Sequence, residues 1–237
     1  MLTPNNPVFN YYNTSGTFYI LTAKYGSIAF LNLFAIIFNF FMVYTTWINK
    51  CFHHRINIYI ALSSLFSIPV NVGLSVKFFI LLFGINFINL ISCFYIQALP
   101  FLCSIFTNQL RLFIGFDRLL SIAFPLWYKF NDRYKSVTIL AVLAILRTSR
   151  TSWLILNMAI EFPERPVICT SGDLVQPEIY QETYVTSNVY NVLTIVCYVA
   201  MWILIILRKE TNPNIRRICN SLTAIIVVNF IGTLNVS

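Results

Sequence analysis

Charge is scarce in this sequence. Acidic and basic residues fill 10% of its 237 positions, against 58% for apolar residues. A soluble domain carries roughly 25% charged residues, so too little charge is present to clothe a water-facing surface of this size. Lipid is the solvent that tolerates such a composition. Catalytic equipment is missing as well. No HExxH, no GxSxG and no paired acid constellation occurs, which excludes the common hydrolases and implies no cofactor. The two histidines, His53 and His54, are too few for a multi-histidine di-iron membrane enzyme. Six cysteines contain no CxxC pair and no metal spacing. Internal repeats and pairs of Gly/Pro-broken helices, which mark many transporters, are absent.

What the chain does have is long apolar runs, such as Ile28–Val43 and Val192–Leu207. About 20 apolar residues cross the hydrocarbon as a helix. Barrel strands would alternate instead, and backbone groups in lipid must be bonded internally. The expected fold is therefore an all-α membrane protein. Six spans are predicted, over 25–48, 57–82, 94–120, 136–160, 186–207 and 218–236, behind a polar N-terminal tail over 1–24. The tail lacks a basic segment followed by a short apolar core, so no cleavable signal is predicted and the first span acts as the targeting signal.

The net charge of +8 could suggest nucleic acid, but its placement points to membrane orientation. One set of flanks carries nine basic residues: Lys50, Arg55, Lys129, Arg133, Lys135, Arg208, Lys209, Arg216 and Arg217. The opposite set carries three, Lys24, Lys77 and Arg165. The basic side should face the cytoplasm, which puts the N-terminus outside a multi-pass plasma-membrane protein. Asn13-Thr14-Ser15 is then a glycosylation sequon in an external tail. Asn235-Val236-Ser237 also matches, at the chain end.

The fourth span is internally conflicted. Arg147 and Arg150 fall near its centre and cost roughly 2.5–3.5 kcal/mol each on the insertion scale. Its aliphatic residues return about 3–6 kcal/mol. Either it inserts with both arginines facing the bundle interior, or it is a damaged stretch of coding sequence.

The third span is the most informative. Gln97, Phe101, Ser104, Asn108, Arg111, Gly115 and Arg118 recur every third or fourth residue and share one helical face. A polar stripe in a membrane helix faces protein or a water-filled cavity, so this helix should be central. Its end reads Asp117-Arg118, then Pro125 and Tyr128. This pattern resembles the Asp-Arg-Tyr element closing the third helix of rhodopsin-like G-protein-coupled receptors, with Leu119 in the usual place of Tyr. The segments GFDRLLSIAFPLWYKFNDRYKS, IYIALSSLFSIPVNV and NSLTAIIVVNFIG resemble nematode serpentine chemoreceptors, and among them the class BC group.

The resemblance implies a rhodopsin-like bundle of seven helices, of which six are expected here. It implies that Asp117 holds Arg118 in a latch which ligand binding opens toward a heterotrimeric G protein. Cys93, 25 residues before Arg118, would be bonded to Cys169 in the second external loop. Asn39 could match the family's first-helix asparagine, though Asn32 is also present. Asn71 stands where many relatives have a sodium-binding aspartate, which makes a sodium-linked switch doubtful. No seventh helix follows before Ser237, and a six-helix product is expected to fold poorly or fail to signal.

The expected function is a chemosensory receptor. A small molecule would bind among the outer helix halves, lined by Gln97, Phe101, Ser104 and Asn108. The same polar positions also suit interhelical hydrogen bonding. Membrane lipid, the ligand and the G protein are the expected partners. Two rivals stand beside this reading: a truncated, non-signalling receptor fragment, and a transporter or channel subunit with Arg111, Arg147 and Arg150 lining an anion path.

Overall fold

The long apolar runs become long helices in the structure, a computed structural model that describes residues 19–49, 55–130, 133–175 and 177–207. Helix α1 covers Tyr19–Ile48 and α2 covers Arg55–Leu82. A short strand β1 (Ile88–Asn89) leads into α3 (Leu90–Ala123), followed by a six-residue helix α4 (Pro125–Phe130). Then come α5 (Arg133–Glu161), β2 (Pro166–Val167), a 3-10 turn (Ser171–Leu174) and α6 (Pro177–Leu207). Among the described residues four helices are long and apolar enough to cross a membrane: Thr22–Ile48, Asn57–Leu82, Leu90–Ala123 and Ile179–Leu207.

Two departures from the expected six spans have physical causes. First, α1 begins six residues before the predicted boundary, because Lys24 does not stop a helix; a lysine near a helix end can extend its charge toward water. Second, the predicted fourth span is a helix of 29 residues, but it is not among the four membrane-capable ones. Its centre reads Arg147-Thr-Ser-Arg150-Thr-Ser152. Arg147 lies over the Tyr190 ring of α6, 4.0 Å from the centroid, whereas Arg150 is exposed. Three apart, the two lie roughly 60° from each other around the helix, and Arg150 stays exposed, so they do not both face the interior. The predicted span 218–236 lies outside the described residues, as do Asn13, most of the tail over 1–24 and Asn235.

Helix α3 is central, as its composition requires. It packs against α2, α5, α6 and the 3-10 turn. Its buried row is Cys93, Gln97, Pro100, Cys103, Thr107, Leu110 and Ile114, which keeps the spacing of one helical face. Ser104, Asn108 and Arg111 are half-buried, because they lie one residue, or about 100°, around the helix from Cys103, Thr107 and Leu110; Arg118, one turn beyond Ile114, is half-buried as well.

Close approach of α2 to α3 depends on Gly73. A Cβ there would overlap the ring of Pro100 and lie 2.8 Å from Gln97 Oε1. Small residues permit such approach where lipid supplies no hydrophobic drive between helices. Phe66 and Phe106 stack across the same interface at 5.4 Å. Nearer α1, the Asn32 amide donates to Ser75 Oγ at 3.4 Å. Gly84, with φ 73°, ends α2. Ile85 N–H donates to Ile80 O and Gly84 N–H to Leu81 O, the paired bonds of a Schellman cap, whose left-handed position favours glycine.

Candidate functional site

At the disulfide end of α3 the segment after α5 folds back onto the bundle. Strands β1 and β2 pair antiparallel, Ile88 with Val167 and Asn89 with Pro166. Leu90 N–H donates to Arg165 O at 2.9 Å and Ile91 N–H to Pro163 O at 3.3 Å. These carbonyls satisfy first-turn donors that a helix start leaves open. Cys93 and Cys169 are joined as a disulfide with Cα atoms 5.3 Å apart. Leu90, Cys93, Ile155, Ala159, Val167, Cys169 and Leu174 form one buried cluster. The returning segment is thereby seated among α3 and α5.

Cys169 takes a left-handed φ of 59°, a conformation that costs a non-glycine residue roughly 1–2 kcal/mol. Its surroundings fix it there. The disulfide holds its side chain, and Gln97 Nε2 donates to its carbonyl at 3.3 Å and to Gly73 O at 2.8 Å. Next, Thr170 and Asp173 form a reciprocal capping box. Thr170 N–H donates to Asp173 Oδ2 at 2.9 Å and Asp173 N–H to Thr170 Oγ1 at 3.3 Å. The Asp173 carboxylate is held in place by backbone geometry.

The four residues predicted to line a pocket therefore differ in kind. Gln97 is only 1% exposed, and its amide ties α2, α3 and the returning segment together. Phe101 packs against the buried cluster around Cys169. Ser104 and Asn108 are half-buried, and Asn108 Oδ1 accepts from Arg111 Nη1 at 3.3 Å. Arg111, Arg147 and Arg150 do not converge. One bonds within α3, one lies over Tyr190, and one is exposed.

At the opposite end of α3, Asp117 is half-buried. Its carboxylate accepts the Tyr128 hydroxyl, at 2.9 Å from Oδ1 and 3.1 Å from Oδ2. Among the described residues no ion pair joins Asp117 to Arg118. Adjacent helical residues do not face each other; Tyr128 can reach back because α4 turns the chain after Phe124. Arg118 is half-buried, and its Nε is buried without a hydrogen-bond partner among the described residues. Leu119 and Ile122 pack against Tyr198, Met201 and Ile205 of α6, which fixes the rotation of this end of α3.

Two positions were illegible as site residues from the sequence. Lys77 counts as a basic flank when the second span is taken as an interval, yet it lies a full turn inside α2 and is 3% exposed. Its i, i+4 spacing from Gly73 was the available signal. Gln109 is 1% exposed, and neither of its amide atoms has a hydrogen-bond partner among the described residues. A glutamine inside an apolar helix was its only signal.

The model of a family described as serpentine type 7TM GPCR chemoreceptor Srsx matches residues 32–234, from α1 through α6 and beyond. Among curated proteins nothing matches the chain. The resemblance seen in the segments around Asp117 and in the second span reached nematode serpentine chemoreceptors. It leaned to the class BC group, whereas the matching family is Srsx.

Proposed function

The chain belongs to the serpentine 7TM GPCR chemoreceptor family Srsx, and from that premise we propose that it is a chemosensory receptor signalling through a heterotrimeric G protein. The family is not an enzyme family. The observation that carries the reading is the state of the Asp117–Arg118 end. Tyr128 occupies the carboxylate, and the neighbouring guanidinium keeps a buried nitrogen without a partner. A charged group so placed gains by finding an acceptor, so this end has reason to populate a second arrangement. In this reading Asp117 and Tyr128 hold the resting state, and Arg118 meets the G protein in the other.

The excess of basic residues on the flanks at the Asp117 end supports a cytoplasmic position for it. The disulfide end, with the tail over 1–24 and its Asn13 sequon, is then extracellular, in the plasma membrane. An oxidising exterior suits Cys93 and Cys169. The ligand is a small molecule that enters beside Phe101, Ser104 and Asn108, with Gln97 as a fixed wall. Its binding shifts a two-state equilibrium only if it prefers one state. The scattered arginines give an anion path no continuous lining, so the transporter alternative draws no support from them.

The test is Arg118→Ala in the full chain, expressed in membranes with its ligand and G protein. Nucleotide exchange is expected to disappear while ligand binding stays. Full exchange in the variant would refute the role of Arg118; ion flux lost with exchange unchanged would favour the transporter.

A further inference from the structure

Lys77 is a buried ammonium in a helix that crosses the membrane. It is 3% exposed and lies over the ring of Tyr25 in α1, 4.6 Å from the centroid. No hydrogen bond or ion pair holds it among the described residues. An ionisable residue within a span is expensive, and it calls for a partner.

Its charge is not offset by a carboxylate in contact with it among the described residues. Among the described residues Asp173 is the acidic group whose field reaches both Lys77 and Tyr25. Helices α1 and α2 contain no acidic residue, nor does α3 before Asp117. The Asp173 carboxylate already accepts from Thr170 N–H. The remaining positive charge fits an anion. The setting fits a ligand with an apolar body, since the walls are the Tyr25 ring and the neighbouring Phe78, which lies close against Gly26.

Lys77 sits one helical turn from Gly73, whose carbonyl accepts from Gln97. That turn is about 6 Å along the axis, so Lys77 lies one turn of α2 from the Gln97 contact. We propose that Lys77, buried over the Tyr25 ring, is the anion-recognising position of the ligand site, and that the ligand class is small organic carboxylates. Asp173 is then an internal stand-in for the ligand's acid. The inference rests on the receptor reading for the ligand being a small molecule arriving from the disulfide end.

The test uses the full chain purified in detergent, without G protein, and reads thermal unfolding against acetate, hexanoate, octanoate and benzoate. Hexanamide and hexylamine are the uncharged and cationic controls. At least one carboxylate should raise the melting temperature where its controls do not. Lys77→Met should weaken the response at least about tenfold, the loss of one charge-assisted contact, and Lys77→Arg should keep most of it. Asp173→Asn removes the stand-in and should tighten carboxylate binding, a gain that misfolding cannot imitate. Equal protection by acid and controls, or no protection by any carboxylate, overturns the proposal; so does weaker or unchanged binding in Asp173→Asn. Carboxylate binding through Lys77 without nucleotide exchange would sink the receptor reading alone. Exchange driven by uncharged ligands and unchanged in Lys77→Met would sink the site alone.

Discussion

Gly73 has no side chain, and α2 and α3 meet closely because of it. An added Cβ would overlap Pro100 and crowd Gln97 Oε1. Pro100 is a ring within a helix and cannot rotate away. Gly73→Ala should therefore push α2 from α3, stretch the Gln97-to-Gly73 bond, and cost about 1–3 kcal/mol as overpacking. Thermal unfolding in detergent measures it, and an unchanged melting temperature would show that the helices part without loss. Gln109 makes the opposite case. Both of its amide atoms are buried without partners, a state that costs roughly 1–3 kcal/mol of desolvation. Gln109→Leu should raise stability by about 1 kcal/mol, read in the same assay; a lower melting temperature would mean that the amide has a role in holding the fold. Residue types at these positions were legible in the sequence, but their partners were not. Gln97 was recognisable as a polar residue on a membrane helix. That it binds backbone carbonyls of Gly73 and Cys169 was hidden, since a carbonyl has no sequence signature.

Elements differ in how plainly the chain declares them. Four runs of Leu, Ile, Val and Phe have one structural solution in lipid, and their helices were read to within a few residues at most ends. Helix α5 was ambiguous because length argued for a span and its central Arg-Thr-Ser repeat argued against one. The ladder of β1 and β2 is two residues long on each side, too short for alternation to register. Its position follows from the Cys93–Cys169 link and the capping of α3, both long-range facts. The link closes a separation of 76 residues, for which the loop-entropy estimate is about 4.5 kcal/mol in a free chain. Spans that stay inserted keep the unfolded reference compact, so less than that is expected here. Replacing both cysteines by serine should lower the melting temperature and loosen the segment over 163–175. Hydrogen exchange should rise there while the helical circular-dichroism signal is kept. Unaltered exchange in that segment would mean that the Gln97 bonds and the buried Val167 and Leu174 suffice to hold it.

For the molecule as a whole, sidedness governs how both ends are interpreted. The disulfide, Lys77 and Asp173 lie toward one end of α3, while Asp117, Tyr128 and Arg118 lie toward the other. A site for outside molecules and a contact for an inside partner need those ends in different compartments. The basic flanks, nine against two once the buried Lys77 is set aside, support the proposed cytoplasmic position of the Asp117 end, because translocating Lys and Arg is what the insertion machinery resists. Single cysteines at Leu126 and at Glu164, both exposed, sample the two ends once Cys51 and Cys219 are changed to serine. On intact cells a membrane-impermeant maleimide should label Glu164→Cys and spare Leu126→Cys, and permeabilising the cells should expose the second. The reversed pattern would put Lys77 in the cytosol and Arg118 outside, where no G protein waits. Labelling of both positions from outside would instead mean that α3 does not cross the membrane. Its half-buried stripe of Ser104, Asn108 and Arg111 would then need a partner other than a ligand arriving through the bundle.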